Sequence, residues 1–260
     1  MKVAGAAGFG VLAGAMLIYP HQAAEAAGDA LGLWPRSVAP VLGPFMACML
    51  MITSRVGGGI VPRIILGWLC GSPGGARLMQ TVRPRGKTAL RCAAFTGTMS
   101  PMFLLGTVSG WLQSPEGGRI LLVCHLLGAL LTGLCLPGKG QADRAAPAPL
   151  PLGQALRETA LALLAIALCM MLGAVAARMV SCALQCALEV TSGARALIQL
   201  RPALLLPPLC AAISFGGLSL LMQNAAFWQE SGVSPLDLCL LRLVHGLLAG
   251  ALCSACLLFL

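Results

Sequence analysis

Two histidines lie inside long apolar runs: His125 within 119–136 and His245 within 236–260. An imidazole at membrane depth is a functional candidate by default, as a proton relay or as a ligand for an ion or solute. The plainer reading is a neutral ring bonded to a carbonyl, holding two helices together; both readings stand on the sequence alone. Other apolar runs are interrupted. Gly71-Ser72-Pro73-Gly74-Gly75 follows a short run, and Thr96-Gly97-Thr98-Met99-Ser100-Pro101 splits a longer one. Ser214-Phe215-Gly216-Gly217 splits a third, with Ser219, Gln223 and Asn224 beyond it. Pro101 removes a backbone donor and biases Ser100 away from helix. Unwound backbone at membrane depth is tolerated only where protein or water surrounds it. The helix ends it exposes offer free N–H and C=O groups to a solute or ion. The 71–75 stretch lacks the Gly-Lys-Ser/Thr ending of a phosphate-binding loop, so it reads as a re-entrant turn.

Other chemistries find little support. No Ser/His/Asp set and no paired carboxylates fall within one run, so enzymatic catalysis is not expected. The chain has 12 cysteines, almost all in apolar runs, where cysteine acts as a small hydrophobe. Cys182 with Cys186 and Cys253 with Cys256 have metal-pair spacings but lack the neighbouring ligands of a closed site. No metal and no cofactor are expected. Arg178, Glu189 and Arg242 are lone charges near segment ends and read as snorkelling side chains.

The elements that position these groups follow from composition. Of 260 residues, 58% are hydrophobic and 10% are charged; mean hydropathy is +0.89. An ordinary soluble domain is about 45–50% apolar and about 25% charged. Aromatic residues make up 5%, and the runs do not alternate, which excludes a membrane β-barrel. The expected fold is an all-α polytopic membrane bundle of about seven spans, with re-entrant or broken helices. The net charge of +9 reads as topology rather than as a nucleic-acid surface, because basic residues collect in cytoplasmic loops. Arg77, Arg83, Arg85, Lys87 and Arg91 form the densest such cluster. Residues 3–19 read as an uncleaved first helix, not a signal peptide. Residues 21–34 read as a short interfacial helix, and 37–53 as a span. Residues 60–70 read as a half helix, 88–110 as a broken span and 119–136 as a clean one.

The second part of the chain repeats this plan. A long run at 158–180 precedes 181–200, then a broken run at 202–228 and a final span at 236–260. Each half has a broken segment, a Trp at its end, a Ser/Gly turn around Pro115 or Glu230, and a span with a central His. The expected organisation is a first half at 1–136, a linker at 137–157 and a second half at 158–260. Matching interruptions in two halves are a sequence pointer to a transporter binding site.

Several motifs resemble one family in the same order. Cys70-Gly71-Ser72-Pro73-Gly74-Gly75-Ala76-Arg77 resembles its Ser-Gly-Tyr-Pro-x-Gly-Ala-Lys element. Ser100-Pro101-Met102-Phe103-Leu104-Leu105-Gly106 resembles its Ser-Pro-Leu-Phe-Ile-x-Gly core. Gly217-Leu218-Ser219 with Gln223 resembles its Gly-Leu-Ser…Gln element, and Arg242-Leu243-Val244-His245-Gly246 its Arg-x-x-His-Gly element. Tyr19-Pro20 with Glu25-Ala26 matches near the start. The family is the sporulation integral membrane protein YlbJ type, whose members carry the nucleoside-recognition (Gate) domain. Gly97 stands where the pattern has Asn, and Ser72 where it has Tyr. The resemblance implies endospore formation, notably cortex or envelope assembly, and kinship with nucleoside-transporter-like folds. It implies a mother-cell or outer forespore membrane and, as partners, other spore-envelope proteins.

The combined expectation is a multi-pass cell-membrane protein in contact with the lipid bilayer. Its cavity is lined by Gly71, Ser72, Pro73, Gly74, Gly75, Thr98, Ser100, Pro101, His125, Gly216, Gly217, Ser219, Gln223, Asn224 and His245. That cavity would take a small polar solute, such as a nucleoside or cell-wall precursor, with a coupling ion. The alternative is a non-transporting scaffold for spore-envelope proteins.

Overall fold

The structure is a computed structural model that describes residues 2–55, 59–80, 82–137, 149–179, 185–200, 205–228 and 231–259. Most of the expected linker, with Cys182, Pro202 and Glu230, lies outside the described residues. Those described form helices and short connections, with no strand among them.

Helix α1 (Lys2–Ile18) leads into α2 (Pro20–Leu33), which opens on a proline as helix starts favour. A π-helical turn, Trp34–Val38, joins α2 to α3 (Ala39–Thr53). Together they make one continuous helix of 34 residues, Pro20–Thr53. This corrects the separate interfacial helix expected at 21–34. Ala23, Ala26 and Ala30 are buried, because alanine lets the backbone approach a neighbour closely. The wide π turn takes up Pro35, whose missing N–H would end a regular helix.

Next come α4 (Ile60–Cys70), α5 (Gly74–Gln80) and α6 (Gly86–Thr96). Residues 97–100 are not helical. Helix resumes at 101, runs through a π stretch at Phe103–Val108, and ends in α7 (Ser109–Leu112). The long α8 (Pro115–Leu134) starts on Ser114, whose Oγ accepts from the Gly117 amide at 3.0 Å. Helix α9 (Leu152–Arg178) is followed by α10 (Gln185–Leu188) and α11 (Val190–Leu200). The second broken segment is α12 (Leu206–Phe215) and α13 (Gly217–Trp228). The last helix, α14 (Pro235–Leu258), begins with a capping box between Ser234 and Asp237.

Among the described residues, five helices are long and apolar enough to span a membrane: Pro20–Thr53, Pro115–Leu134, Leu152–Arg178, Leu206–Trp228 and Pro235–Leu258. Ala7–Ile18, Ile60–Cys70 and Phe103–Leu112 are shorter apolar helices. Exposed leucines recur at helical spacing, as Leu161, Leu164 and Leu168 on α9 and Leu236, Leu240, Leu243 and Leu247 on α14. Such stripes face lipid in a membrane bundle. The central core joins α8, α12 and α14 with the 101–112 helix, through Leu104, Leu121, Leu209, Ile213, Ala249 and Cys253.

The basic cluster is only partly a loop. Arg77 pairs with Glu158 on α9. Arg91 donates Nε–H to the Gly133 carbonyl at 3.0 Å and lies over the Phe95 ring. These two arginines also tie helices together, beyond the topological role read from charge.

Candidate functional site: two cavities beside the helix breaks

The three expected interruptions meet. Gly71 has φ +67°, in the region that favours glycine. A Cβ there would run into the Ser100 backbone, so the 71–73 turn lies directly on the 97–100 segment. The Ser72 amide donates to the Thr98 carbonyl at 2.6 Å. Pro73 precedes α5, and Gly74 and Gly75 form its first turn. Gly216 and Gly217 have φ +82° and +70°, which turns the chain between α12 and α13.

The larger cavity, about 40 Å³, is lined by Ser72, Ser100, Glu189, Thr191, Ser219 and Gln223, among apolar neighbours such as Leu42, Phe103 and Met170. Helix starts converge on it. Ser100 Oγ accepts from the Phe103 amide at 3.2 Å, at the head of the 101–112 helix. Ser219 lies in the first turn of α13. Glu189 precedes α11 and accepts from the Thr191 and Ser192 amides, at 2.9 and 2.6 Å. Helix N-termini carry partial positive charge and free N–H groups, which accounts for a carboxylate here. Glu189 is 1% exposed, so the expected snorkelling is corrected: it caps a helix beside a cavity.

The smaller cavity, about 10 Å³, is lined by Gly97, Asn224, Arg242 and His245, with Trp228 and aliphatic side chains. That is room for about one water. Arg242 is 4% exposed, which again corrects the snorkelling reading. Its Nε–H donates to the Phe215 carbonyl at 3.1 Å. Asn224 Nδ2 donates to the Leu220 carbonyl at 2.9 Å. Asn224 Oδ1, His245 Nδ1 and both terminal nitrogens of Arg242 are buried without a hydrogen-bond partner.

The histidines form a strut between helices. The Met99 amide donates to His125 Nε2 at 2.8 Å. Because an amide only donates, this nitrogen is an acceptor, and the ring proton is assigned to Nδ1, which donates to Ser214 Oγ at 2.7 Å. His245 Nε2 in turn donates to the His125 carbonyl at 2.8 Å. The rings lie 4.7 Å apart. One imidazole thereby ties α8 to both helix breaks, and the other ties α14 to α8. His125 lines neither cavity, while His245 edges the smaller one.

The single expected cavity is therefore divided. Ser72, Ser100, Ser219 and Gln223 share the larger space; Asn224 and His245 share the smaller. Thr98 is fully buried and lines neither cavity, with its Oγ1 unpartnered. Pro101 begins the helix that Ser100 caps.

Part of the chain is similar to a sporulation integral membrane protein, YlbJ, of Bacillus subtilis (strain 168). The identity is 32% over 113 residues, covering 42% of this chain and 27% of that protein. The chain thus spans little more than a quarter of the curated relative it matches. No family model matches the chain, and no solved structure matches it. The apolar helices and this distant homologue together make the chain a multi-pass membrane protein.

Glu189 and Arg242 are the site residues that sequence reasoning missed. The available signal was a charge without an opposite charge at helical spacing in an apolar run. That pattern is costly at membrane depth unless protein groups receive it.

Proposed function

We propose that the protein is a solute carrier of the cell membrane, with the larger cavity as its solute site. The carrying observation is the meeting of two broken helices and a carboxylate-capped third around one largely apolar space with a few polar groups on its wall. Half-helix ends at membrane depth are the recurring way in which transporters hold a polar solute. Hydroxyls of Ser72, Ser100 and Ser219 with the Gln223 amide supply donors and acceptors, which fits a small neutral polar molecule such as a nucleoside or a cell-wall precursor. A cavity of about 40 Å³ is smaller than such a solute, so admission requires the 71–73 turn and the 101–112 helix to part. The similarity to a sporulation integral membrane protein supports a role in sporulation, and the motif resemblance leads us to place that role in spore-envelope assembly, in the mother-cell or outer forespore membrane.

The test is a thermal-shift series on purified protein with nucleosides, amino sugars and peptidoglycan precursors. At least one should raise the melting temperature, and Ser219→Ala with Gln223→Leu should abolish that shift without lowering the ligand-free melt by more than a few degrees. A deletion strain should give fewer heat-resistant spores. If no compound shifts the wild type, and the double variant restores spore counts, the scaffold reading replaces this one.

A further inference from the structure

Arg242 is a buried cation that the solute site does not use. Its Nε bonds the carbonyl of Phe215, the last residue of α12. Its other nitrogens lie against the caps of both broken helices. A Cβ on Gly97, which caps α6, would lie 3.0 Å from Nη1, and one on Gly216, which caps α12, would lie 2.5 Å from Nη2. Side chains at either position would displace the guanidinium. Among the described residues the ion pairs are Arg77–Glu158 and Arg178–Glu25, so no carboxylate answers Arg242.

The compensation is dipolar. A helix C-terminus carries roughly half a negative charge and leaves its last carbonyls unbonded. The α12 end bonds the guanidinium through the Phe215 carbonyl, while the α6 end lies beside Nη1 without a hydrogen bond to it; the two end dipoles amount to roughly −1 against +1. In broken-helix transporters, ends of this polarity and unwound carbonyls coordinate the coupling cation. We propose that Arg242 is a tethered substitute for that cation. Its guanidinium fills the cation site between the two breaks, and the protein holds its two broken helices together without sodium or potassium. The space left beside it, about 10 Å³, admits about one water and excludes a second, hydrated cation. The coupling-ion expectation is thereby replaced by a covalently attached charge. The word "coupling" rests on the carrier reading above; the occupied cation site does not.

The experiment measures the melting of full-length protein in lipid nanodiscs, at matched ionic strength, in sodium, potassium or choline chloride, with and without added guanidinium. Wild type should melt at the same temperature in all three salts. Arg242→Ala should melt lower by about 5 °C or more and recover at least half of that loss with guanidinium or sodium. Arg242→Lys should melt near wild type and stay insensitive to sodium. A wild type that sodium stabilises over choline overturns the proposal, as does an Arg242→Ala protein that no cation rescues. If Arg242→Ala does not accumulate, the wild-type salt comparison and Arg242→Gln decide by the same criteria. Solute binding is not read here, so a failed solute screen beside sodium-insensitive melting strikes the carrier reading and leaves this one standing.

Discussion

Replacing each histidine by leucine should give unequal losses of stability. His125→Leu removes the acceptor of the Met99 amide and the donor to Ser214 Oγ. Met99 lies in the non-helical 97–100 segment, so its amide has no helical carbonyl to turn to. Orphaning a buried N–H costs about 1–3 kcal/mol, and losing an ordinary hydrogen bond about 0.5–1.5 kcal/mol. The expected total is about 2–4 kcal/mol. His245→Leu removes one donor to a carbonyl that also serves the α8 helix, and with it a ring nitrogen that has no partner. Its expected cost is about 1 kcal/mol or less. The assay is reversible unfolding from mild into denaturing detergent, followed by circular dichroism. His125→Gln, whose amide both accepts and donates, should recover part of the loss. Equal costs for the two leucine variants, or a larger cost at position 245, would refute the strut. One consequence is practical: loss of function in His125→Leu reports a broken fold, whereas Ser219 and Gln223 report on the larger cavity.

Two further outcomes use the same titration. Glu189→Gln keeps one acceptor for the start of α11 but loses the charge and the second acceptor, so it should cost about 0.5–2 kcal/mol; a variant as stable as wild type would remove the cap from the account. Glu25→Ala breaks the pair with Arg178, whose side chains are 59% and 47% exposed. Its effect should stay within about 0.5 kcal/mol, and a loss beyond about 1 kcal/mol would show that the pair is shielded in the bilayer headgroups.

The helix breaks were legible because their causes are local. Pro101 and the adjacent Ser100 disfavour helix in the residues themselves, and Gly216-Gly217 supplies the positive φ that a reversal needs. The α14 start at Pro235 falls within a residue of the expected 236, but α8 begins at Pro115, four residues before the expected 119, because Ser114 caps a helix over residues that read as a turn. Contacts far apart in sequence were not. His125 meets Ser214 across 89 residues, so the strut could only be one of two readings. Arg242 bonds the Phe215 carbonyl at the end of α12 and lies beside Gly97 at the end of α6, and a helix end has no letter in the sequence that marks its charge. Prolines 35, 40 and 44 each remove a helical N–H, yet the π turn and burial against α9 carry the helix through them.

The long helix Pro20–Thr53 has a consequence outside the protein. Its 34 residues extend about 51 Å at 1.5 Å each, against a hydrocarbon core of about 30 Å. Absorbing that by tilt alone needs roughly 54°, beyond the usual range of about 0–40°. A surplus of rod therefore stands clear of the acyl chains, and the antiparallel α9, packed beside it through Ala30, Leu42, Ile166 and Met170, accompanies it. The half-exposed Glu25 and Arg178 sit at the same end of this pair, where water or headgroups can solvate them. The molecule thus carries a pair of helices longer than the hydrocarbon core is thick, whose surplus lies among headgroups or in water.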